Sequence, residues 1–390
     1  MPGTTPLRRL RLGVDFHTFD GLFQGSRSHL LGLYAEVITR APDIDFVFLV
    51  GDPDRLRAAH PSFASANVSI ERTPHVNGAL RLLWQLAACQ RRLRLNLLHV
   101  QYRGPLLPAG PVAVTVHDTL FETHPQFFTS RFARFARVTG RRAVRLAALL
   151  FTVSDWSRGE MARLYGIAPD RIVVTPNAVD RTRFHPVPMY DATGDEHDPD
   201  GERVVRALGL EPGGYVLSVG RLEPRKNQAN LVRAHALLPA PRLPLVLVGQ
   251  RDFAHDEVFE EIARLGLQDE VRVLERVDDA ALPALLRHAR LFAYPSFAEG
   301  FGMPVVEAMA SGVAVVTSDT TALAEVSQGA ALTADPTDPA AIAAALRTLL
   351  ADDGQRALRA RAGVAAAGRY RWDVAADAFL GAVRAWWRAR

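Results

Sequence analysis

The stretch that decides the fold covers residues 289–318 and reads A-R-L-F-A-Y-P-S-F-A-E-G-F-G-M-P-V-V-E-A-M-A-S-G-V-A-V-V-T-S. Its short apolar run, Leu291–Tyr294, ends at a proline, which is typical of a buried parallel strand. The glycines that follow, Gly300 and Gly302, favour a tight, open loop. The segment therefore predicts a strand, a glycine loop, a helix at about 304–310 and a second strand at 313–317.

Two carboxylates lie on this segment, Glu299 in the glycine loop and Glu307 in the predicted helix. A helix N-terminus reached through glycines suits an anionic ligand, because its N–H groups and dipole favour negative charge. Carboxylates beside such a site suit hydroxyl groups, from which they accept hydrogen bonds. The combination indicates a sugar nucleotide or a sugar phosphate. The alternative is a pair of surface glutamates near a tight turn.

Composition places the chain among soluble globular proteins. It has 390 residues, enough for two domains, with 48% hydrophobic and 23% charged residues. No run approaches the roughly 18 apolar residues of a membrane-spanning helix, and the N-terminus lacks the apolar core of a signal peptide, so we expect a cytoplasmic protein. Cys89 is the single cysteine, which excludes an intramolecular disulfide and a cysteine-based zinc site.

Both halves of the chain alternate predicted strands with predicted helices, which indicates an α/β protein with two doubly wound parallel sheets facing each other across a cleft. We expect a first doubly wound domain at 1–185, a linker or mobile loop at 186–203, and a second doubly wound domain at 204–371. The linker is predicted from an acidic, proline-rich segment without periodicity. The last segment, 372–390, is predicted to be a helix that packs back on the first domain.

A second feature that suits an anion follows the predicted strand 215–219, in the segment G-R-L-E-P-R-K-N. It places Arg221, Arg225 and Lys226 between a strand end and a helix start, where a diphosphate can be held by charge and by N–H groups. Lys226 is also the only lysine among 46 basic residues. Arginine does not replace a compact ammonium at a phosphate, so this choice is informative. The alternative is a solvated basic loop.

These motifs together resemble the family-4 retaining glycosyltransferases, which have the GT-B fold. The resemblance rests on G-R-L-E-P-R-K-N, followed about eighty residues later by P-S-F-A-E-G-F-G-M-P-V-V-E-A-M-A-S-G, with weaker matches at T-V-H-D, T-V-S-D-W-S and R-I-V-V-T-P-N-A-V-D. The family commonly has glycine where this chain has Ala178 and Glu275, which affects the expected local loop shape.

The resemblance implies that the domain at 1–185 is a Rossmann-like, acceptor-side domain and that the domain at 204–371 is a Rossmann-like domain for the nucleotide sugar. It also implies a role for each matching residue. Arg221 and Lys226 would neutralise the donor diphosphate, Glu307 would accept from the ribose hydroxyls, and Glu299 from hydroxyls of the transferred sugar. His117, at the end of a first-domain strand, would face the reaction centre, where a structural histidine is the alternative. The remaining donor-binding positions are the N–H groups of Gly300, Phe301, Gly302 and Met303, and Gly25 in the loop 20–27, whose F-Q-G-S-R form is unusual.

No metal or other cofactor is expected, because two fixed cations and a helix N-terminus can stabilise the leaving diphosphate. D-P-D occurs twice, at Asp52–Asp54 and Asp198–Asp200, and we interpret both as turn sequences rather than metal ligands. The glycine pattern at 300–305 lacks the third small residue of a dinucleotide fingerprint. A G-x-S-x-G elbow is absent from the sequence, which argues against a serine hydrolase.

Two arginine-rich stretches, 81–98 and 131–145, mix arginine with leucine or aromatic residues. Such a composition can bind an anionic membrane surface, which leaves peripheral contact with the inner face of the membrane open. The favoured interpretation is a core-facing stripe with a solvated arginine face. Nucleic acid fits poorly, because no recognised binding module accompanies the charge.

The sequence therefore predicts a retaining, metal-independent transferase that moves a hexose from a nucleoside diphosphate sugar to a saccharide or lipid-linked acceptor in cell-surface polysaccharide synthesis. Resemblance to polysaccharide mannosyltransferases favours GDP-mannose or a related GDP-deoxyhexose as donor. The alternatives are an epimerase or phosphorylase with the same fold, and a non-catalytic nucleotide-sugar-binding protein. A phosphorylase would require a pyridoxal lysine, and Lys226 lies in the wrong kind of segment for one.

Overall fold

A computed structural model describes residues 9–20, 25–186 and 198–390 of the chain. The chain divides into two compact units. The first consists of Met1–Ala178 together with Arg371–Arg390, and the second is Val179–Tyr370. Each unit contains one sheet in which every pairing between neighbouring strands is parallel.

The sheet of the first unit has seven strands in the order β3-β2-β1-β4-β5-β6-β7. Its central strands are nearly continuous apolar runs, as expected for a parallel sheet covered on both faces. The strands are β1 Leu10–Asp15, β2 Ile44–Val50, β3 Val68–Arg72, β4 Leu97–Gln101, β5 Val112–Thr115, β6 Leu149–Thr152 and β7 Ile172–Val174.

Within the described residues 25–165, seven α-helices accompany these strands, and several begin at a side-chain cap, such as Asp52, Thr129 and Ser154, each of which accepts a hydrogen bond from the first turn. Between α3 and α4 the helix passes through a π-helical turn, Arg81–Gln85. The helices are α1 Gly25–Arg40, α2 Pro53–Ala59, α3 Gly78–Leu80, α4 Leu86–Arg92, α5 Leu120–Thr123, α6 Ser130–Leu146 and α7 Asp155–Tyr165.

The sheet of the second unit has six strands in the order β10-β9-β8-β11-β12-β13. They are β8 Val216–Val219, β9 Leu245–Val248, β10 Val271–Leu274, β11 Leu291–Tyr294, β12 Val315–Ser318 and β13 Leu332–Ala334. The helices of this unit are α8 Pro199–Ala207, α9 Gln228–Ala236, α10 Asp256–Arg264, α11 Leu282–Arg287, α12 Met303–Ala310, α13 Thr321–Ser327, α14 Pro339–Ala351 and α15 Asp353–Ala367.

The last helix, α16 Trp372–Arg388, returns to the first unit and packs against α1. Phe379 is fully buried, with its ring 4.8 Å from that of Phe151 and 5.7 Å from that of Tyr34. Gly32 of α1 leaves room for Trp372, because a side chain at that position would overlap the indole ring. Residues more than 330 positions apart in the chain thus share one hydrophobic core.

Part of the predicted linker at 186–203 is helical, which corrects the sequence-based boundary. Residues 187–197 lie outside the described residues, but α8 begins at Pro199. Asp198 caps it by accepting from the N–H of Gly201, and Pro199 fits the first helical position, where no N–H is needed. The last residues of the acidic, proline-rich segment that suggested a linker form the start of a helix.

Candidate active site

The residues of the candidate site in the second unit follow β8 and β11, which are neighbours in the sheet. After β8 the chain passes Gly220 and forms a 3-10 turn, Pro224–Lys226. After β11 it forms the loop that carries Glu299 and leads into α12. Because both strands are parallel, their carboxyl ends meet at one edge, and the two motifs identified in the sequence are brought together there.

Glu299 is the centre of this site. Its carboxylate lies 2.6 Å from Nζ of Lys226 and 2.8 Å from a guanidinium nitrogen of Arg225. The hydroxyls of Tyr294 and Ser296 donate to the same carboxylate at 2.9 and 2.8 Å. Burial alone would raise the pKa of Glu299, but Arg225, Lys226 and these donors outweigh it and lower the pKa to about 2. The carboxylate is therefore ionised and firmly held.

Lys226 is buried as well, with only 12% of its side chain exposed. Its ammonium donates to Glu299 and, at 2.5 Å, to the hydroxyl of Tyr294. Burial lowers the pKa of Lys226 below its ordinary value, and the charge of Glu299 opposes that shift. A cation kept in a poorly solvated place beside one carboxylate can bind a further anion strongly, because little water competes for it.

The three cations of the basic segment have different surroundings, which the sequence did not reveal. Arg221, whose side chain is 35% exposed, pairs with Asp252 and lies 3.8 Å from Glu223. Arg225 instead bonds the carboxylate of Glu299 and the carbonyl of Ala298. The sequence suggested Arg225 only as one of three cations that could hold a diphosphate, and it did not reveal the contact with Glu299.

The glycine at the start of α12 leaves the helix end open. Gly302 is the N-cap residue, has φ +104° and offers no side chain to cap the first turn. A side chain at this position would overlap Leu323. Pro304 has no N–H and the N–H of Val305 donates to the carbonyl of Gly302, so a ligand with negative charge at this helix start would meet the N–H of Met303. Phe301 is buried, with its ring 5.2 Å from that of Tyr370, so its side chain belongs to the core.

Glu307 lies on α12 and is half-buried. Burial raises its pKa to about 7; Asp279 adds to the rise and Arg183 opposes it. The side chain is therefore poised to gain or lose a proton near neutral pH. A hydroxyl-bearing ligand that donates to its carboxylate would favour the ionised form.

His117 lies in the first unit, two residues after β5, and is buried. Its Nε2 is 3.1 Å from the side-chain oxygen of Gln101, whose amide in turn donates to the carbonyl of Ser26 in the first turn of α1. Its ring packs edge-on against His29 at 4.9 Å. Burial, with added repulsion from His29 and His99, holds the pKa of His117 well below its usual value, so the ring is neutral.

Gly25 is the first residue of α1, and among the described residues, its chain neighbours and the nearby backbone of α1 aside, no atom lies within 4 Å of the place where a side chain would be. The rest of the predicted loop, residues 21–24, lies outside the described residues. Its neighbour Ser26 is tied to His117 through Gln101. In the first unit, the structure thus brings the start of α1 close to His117.

Both D-P-D sequences are helix starts. Asp52 accepts from the N–H of Arg55 at the start of α2, and Asp198 does the same for Gly201 at the start of α8. Across the described ranges, there is no cluster of three His, Cys, Asp or Glu side chains suited to a metal ion. Within those same ranges, no helix is both long and apolar enough to cross a membrane.

Comparison with known proteins identifies the family to which this chain belongs. The model described as "Glycosyl transferases group 1" matches residues 204–368, and that of "Glycosyltransferase Family 4" matches residues 25–183. The chain is 37% identical over 279 residues to the O-antigen chain mannosyltransferase B of Escherichia coli, an alignment that covers 70% of this chain and 71% of the relative. The chain belongs to the family-4, group 1 glycosyltransferases.

Other relatives of this glycosyltransferase differ in their named activities. It is 32% identical over 235 residues to a D-inositol 3-phosphate glycosyltransferase from Segniliparus rotundus, covering 58% of this chain and half of that one. Its structure resembles that of Anabaena HepE in complex with UDP and glucose, with a TM-score of 0.75, 20% identity, and coverage of 96% and 100% of the two chains. This likeness confirms the predicted GT-B class, with two Rossmann-like units.

Proposed function

We propose that this glycosyltransferase moves a hexose from a nucleoside diphosphate sugar to a saccharide or lipid-linked saccharide acceptor, with retention of configuration. The observation that carries the proposal is the buried cluster of Lys226, Arg225 and Glu299 beside the open start of α12. Such a cluster suits a ligand that combines phosphate with sugar hydroxyls.

The donor diphosphate is the group that Lys226 and the N–H of Met303, at the start of α12, would bind. During transfer the bond between the anomeric carbon and the diphosphate breaks, and negative charge grows on the leaving oxygen. A cation already fixed in place stabilises that charge without having to reorganise. Arg221 follows the same strand as Lys226, β8, and would add a second positive charge when it releases Asp252.

Glu299 and Glu307 would hold the sugars of the donor. One carboxylate oxygen of Glu299 already accepts from Lys226, Tyr294 and Ser296, and the other from Arg225. A hydroxyl of the transferred hexose would thus share the second oxygen with Arg225. Glu307 would accept from the ribose hydroxyls in its ionised form. Arg225 acts as a positioning residue, since it orients Glu299 rather than the phosphate.

His117 and Gly25, which both belong to the first unit, are proposed to contact the substrates. A neutral imidazole can both donate and accept one hydrogen bond, which suits a sugar hydroxyl. Gln101 fixes the orientation of His117 and ties it to the first turn of α1. Gly25, with open space around it, would let a phosphate approach the backbone at the start of α1.

The favoured donor is GDP-mannose, and the favoured pathway is cell-surface polysaccharide synthesis. Similarity to an O-antigen chain mannosyltransferase supports both choices. Transfer is proposed to proceed without a metal ion, because Lys226, Arg221 and the start of α12 already supply the positive charge that the diphosphate needs. The reaction is placed in the cytoplasm, with peripheral contact at the inner face of the membrane.

Release of nucleoside diphosphate from a panel of GDP-, UDP- and dTDP-sugars, with and without EDTA, tests the proposal. Lys226→Ala is expected to lose at least a hundredfold in turnover while keeping its cooperative thermal transition. Arg206→Ala, an exposed arginine that pairs only with surface carboxylates, is the matched control and should retain activity. Unaltered turnover in Lys226→Ala would overturn the assignment, and donor binding without any turnover would indicate a non-catalytic binding protein.

A further inference from the structure

The phenolic hydroxyl of Tyr294 lies inside the cluster that Lys226 and Glu299 form. Tyr294 is the last residue of β11 and is 2% exposed. Its oxygen accepts from Nζ of Lys226 at 2.5 Å, and its O–H donates to Oε1 of Glu299 at 2.9 Å. An ammonium only donates and an ionised carboxylate only accepts, so the single proton of the phenol must point to Glu299. The direction of both hydrogen bonds is therefore fixed.

The contacts of Lys226 within the protein use two of its N–H groups and leave one for a ligand. An ammonium has three N–H donors. One donates to Tyr294 and one to Glu299, whose Oε1 lies 2.6 Å from Nζ, and no other group in the described part of the chain accepts from Nζ. Because the N–H bonds are arranged tetrahedrally about the nitrogen, fixing two of them fixes the direction of the third.

Tyr294 can fix this direction because its ring is held by the core of the second unit. The ring stacks on that of Phe292, with 6.1 Å between the ring centres, and the carbonyl of Tyr294 accepts from the hydroxyl of Thr317 on the neighbouring strand at 2.9 Å. Lys226 instead lies in a 3-10 turn and carries its ammonium on a flexible four-carbon stem. The rigid partner therefore orients the flexible one.

We propose that Tyr294 is a positioning residue for sugar transfer, whose hydroxyl holds the ammonium of Lys226 in the orientation in which the third N–H meets the donor diphosphate. This inference rests on the proposed function, which assigns the diphosphate to Lys226. An ammonium that is already oriented stabilises the charge of the leaving group without reorganising. Loss of the hydroxyl therefore affects turnover more than donor binding, because the leaving oxygen gains its charge only as the bond breaks.

The same hydroxyl favours the charged form of Lys226. The charged groups that face the ammonium are Glu299, Arg225 and Glu223. Burial lowers the pKa of Lys226, the two carboxylates oppose that shift, and Arg225 adds to it. A group that accepts a hydrogen bond from the ammonium raises this pKa, so removing the hydroxyl of Tyr294 is expected to lower it further. Turnover that needs the ammonium should then be lost at a lower pH on the alkaline side.

Tyr294→Phe tests the proposal, because it removes the hydroxyl and keeps the ring. Release of nucleoside diphosphate is measured across pH with GDP-mannose, or with whichever other GDP-, UDP- or dTDP-sugar the wild type turns over. We expect kcat to fall roughly 10- to 100-fold, as for one lost hydrogen bond to a charged group, with KM for the donor changed less than about threefold. The alkaline limb of the pH profile should move to lower pH. Wild-type kcat with an unmoved limb would overturn the proposal.

Tyr215→Phe is the matched control within the same unit. The hydroxyl of Tyr215 is also buried and donates to the carbonyl of Leu285 at 2.7 Å, and Tyr215 directly precedes β8 whereas Lys226 follows it. Both variants lose one buried hydrogen bond, so both should show a lower thermal midpoint. Only Tyr294→Phe should change kcat and the pH profile. An equal fall of kcat in the two variants would overturn the proposal, since it would reflect a general loss of stability.

Lys226→Ala combined with Tyr294→Phe separates this inference from the proposed function. If Tyr294 acts through Lys226, adding Tyr294→Phe to Lys226→Ala should lower turnover less than about twofold. The full effect of Tyr294→Phe in that background would overturn the inference, because Tyr294 would then act without Lys226. Wild-type turnover in Lys226→Ala would overturn the proposed function and this inference with it. Loss of turnover in Lys226→Ala, with wild-type kcat in Tyr294→Phe, would overturn this inference alone.

Discussion

At the scale of single residues, the site depends on the balance between buried carboxylates and two cations. Glu299 pairs with both Lys226 and Arg225 in a place with little water, and Arg225 also pairs with Glu223 at 2.7 Å. Removing one member of such a group leaves a buried charge without a partner, which costs more than the lost attraction alone. The same balance leaves Lys226 ready for a diphosphate, because the ammonium already lies at the strand ends and needs no large movement.

Glu299→Gln should therefore affect both stability and turnover. The variant keeps the shape of the side chain but leaves two cations facing a neutral amide, so we expect a loss of roughly 2–3 kcal/mol in the free energy of unfolding. Turnover should fall roughly 100-fold or more, because the transferred sugar loses a charged acceptor and Lys226 loses its position. Urea unfolding and initial rates measure the two effects. Wild-type values of both would show that the cluster has no role.

Ionisation of Glu307 is expected to lower the free energy of unfolding at high pH. A glutamate in the unfolded chain titrates near 4.5, whereas Glu307 titrates at about 7 in the folded chain. Below 4.5 both states hold the proton and the group has no effect. As the pH rises from 4.5 to 7 the unfolded state ionises first, so stability falls, and above 7 the loss is complete at roughly 1–3 kcal/mol.

Glu307→Gln cannot ionise, so it is expected to raise the unfolding midpoint at about pH 8 and to have little effect at about pH 4. The same variant should bind donor more weakly, because a neutral amide is a poorer acceptor for ribose hydroxyls than a carboxylate. Thermal unfolding across this pH range, with and without donor, measures both. A stabilisation that is equal at all pH values would contradict the raised pKa.

At the scale of elements, a side chain at Gly302, the glycine at the start of α12, is expected to destabilise the fold for two separate reasons. Gly302→Ala places a Cβ at φ +104° and against Leu323. Gly329→Ala is the matched control, since φ there is +73° and, among the described residues other than its chain neighbours, no atom lies within 4 Å of the added Cβ. The control should cost about 1 kcal/mol for the left-handed backbone alone. Gly302→Ala should cost more and should also weaken donor binding, as denaturant midpoints and donor titrations would report.

The central elements of both sheets could be predicted from the sequence, whereas two outer ones could not. The strand Leu291–Tyr294 is a buried apolar run that ends at a proline, and its predicted and observed limits agree. The strands Val68–Arg72 and Leu332–Ala334 were missed. Both lie at a sheet edge, where one side is unpaired and an apolar run is not required.

The position of the candidate site could also be predicted in part from the sequence. The chain order of its motifs was sufficient to predict that Lys226 and Glu299 share the end of one sheet, because adjacent parallel strands must end together. The partner that each arginine side chain contacts could not be predicted from the sequence. Arg221 turns to Asp252, which follows a different strand, so its partner is set by tertiary packing rather than by the motif.

At the scale of the whole molecule, the chain leaves the first unit at 178 and returns to it at 371. The stability of the first unit therefore depends on the last residues of the chain. Deleting residues 372–390 removes Phe379 from the core, and losing one buried phenylalanine costs about 3–5 kcal/mol, a large part of a domain's stability. Hydrogen exchange of the truncated chain should show faster exchange in β1 and β6 than in the full chain, with β8 and β11 unaffected. Loss of protection in the second unit alone would contradict this division.

The central claim is that Lys226 binds the donor diphosphate beside Glu299. Its most direct test is a crystal structure of the enzyme with GDP or a non-hydrolysable GDP-mannose analogue bound. We predict Nζ of Lys226 within about 3 Å of a diphosphate oxygen, with the diphosphate at the start of α12. A nucleotide bound elsewhere, with Lys226 contacting only Glu299 and Tyr294, would contradict the claim.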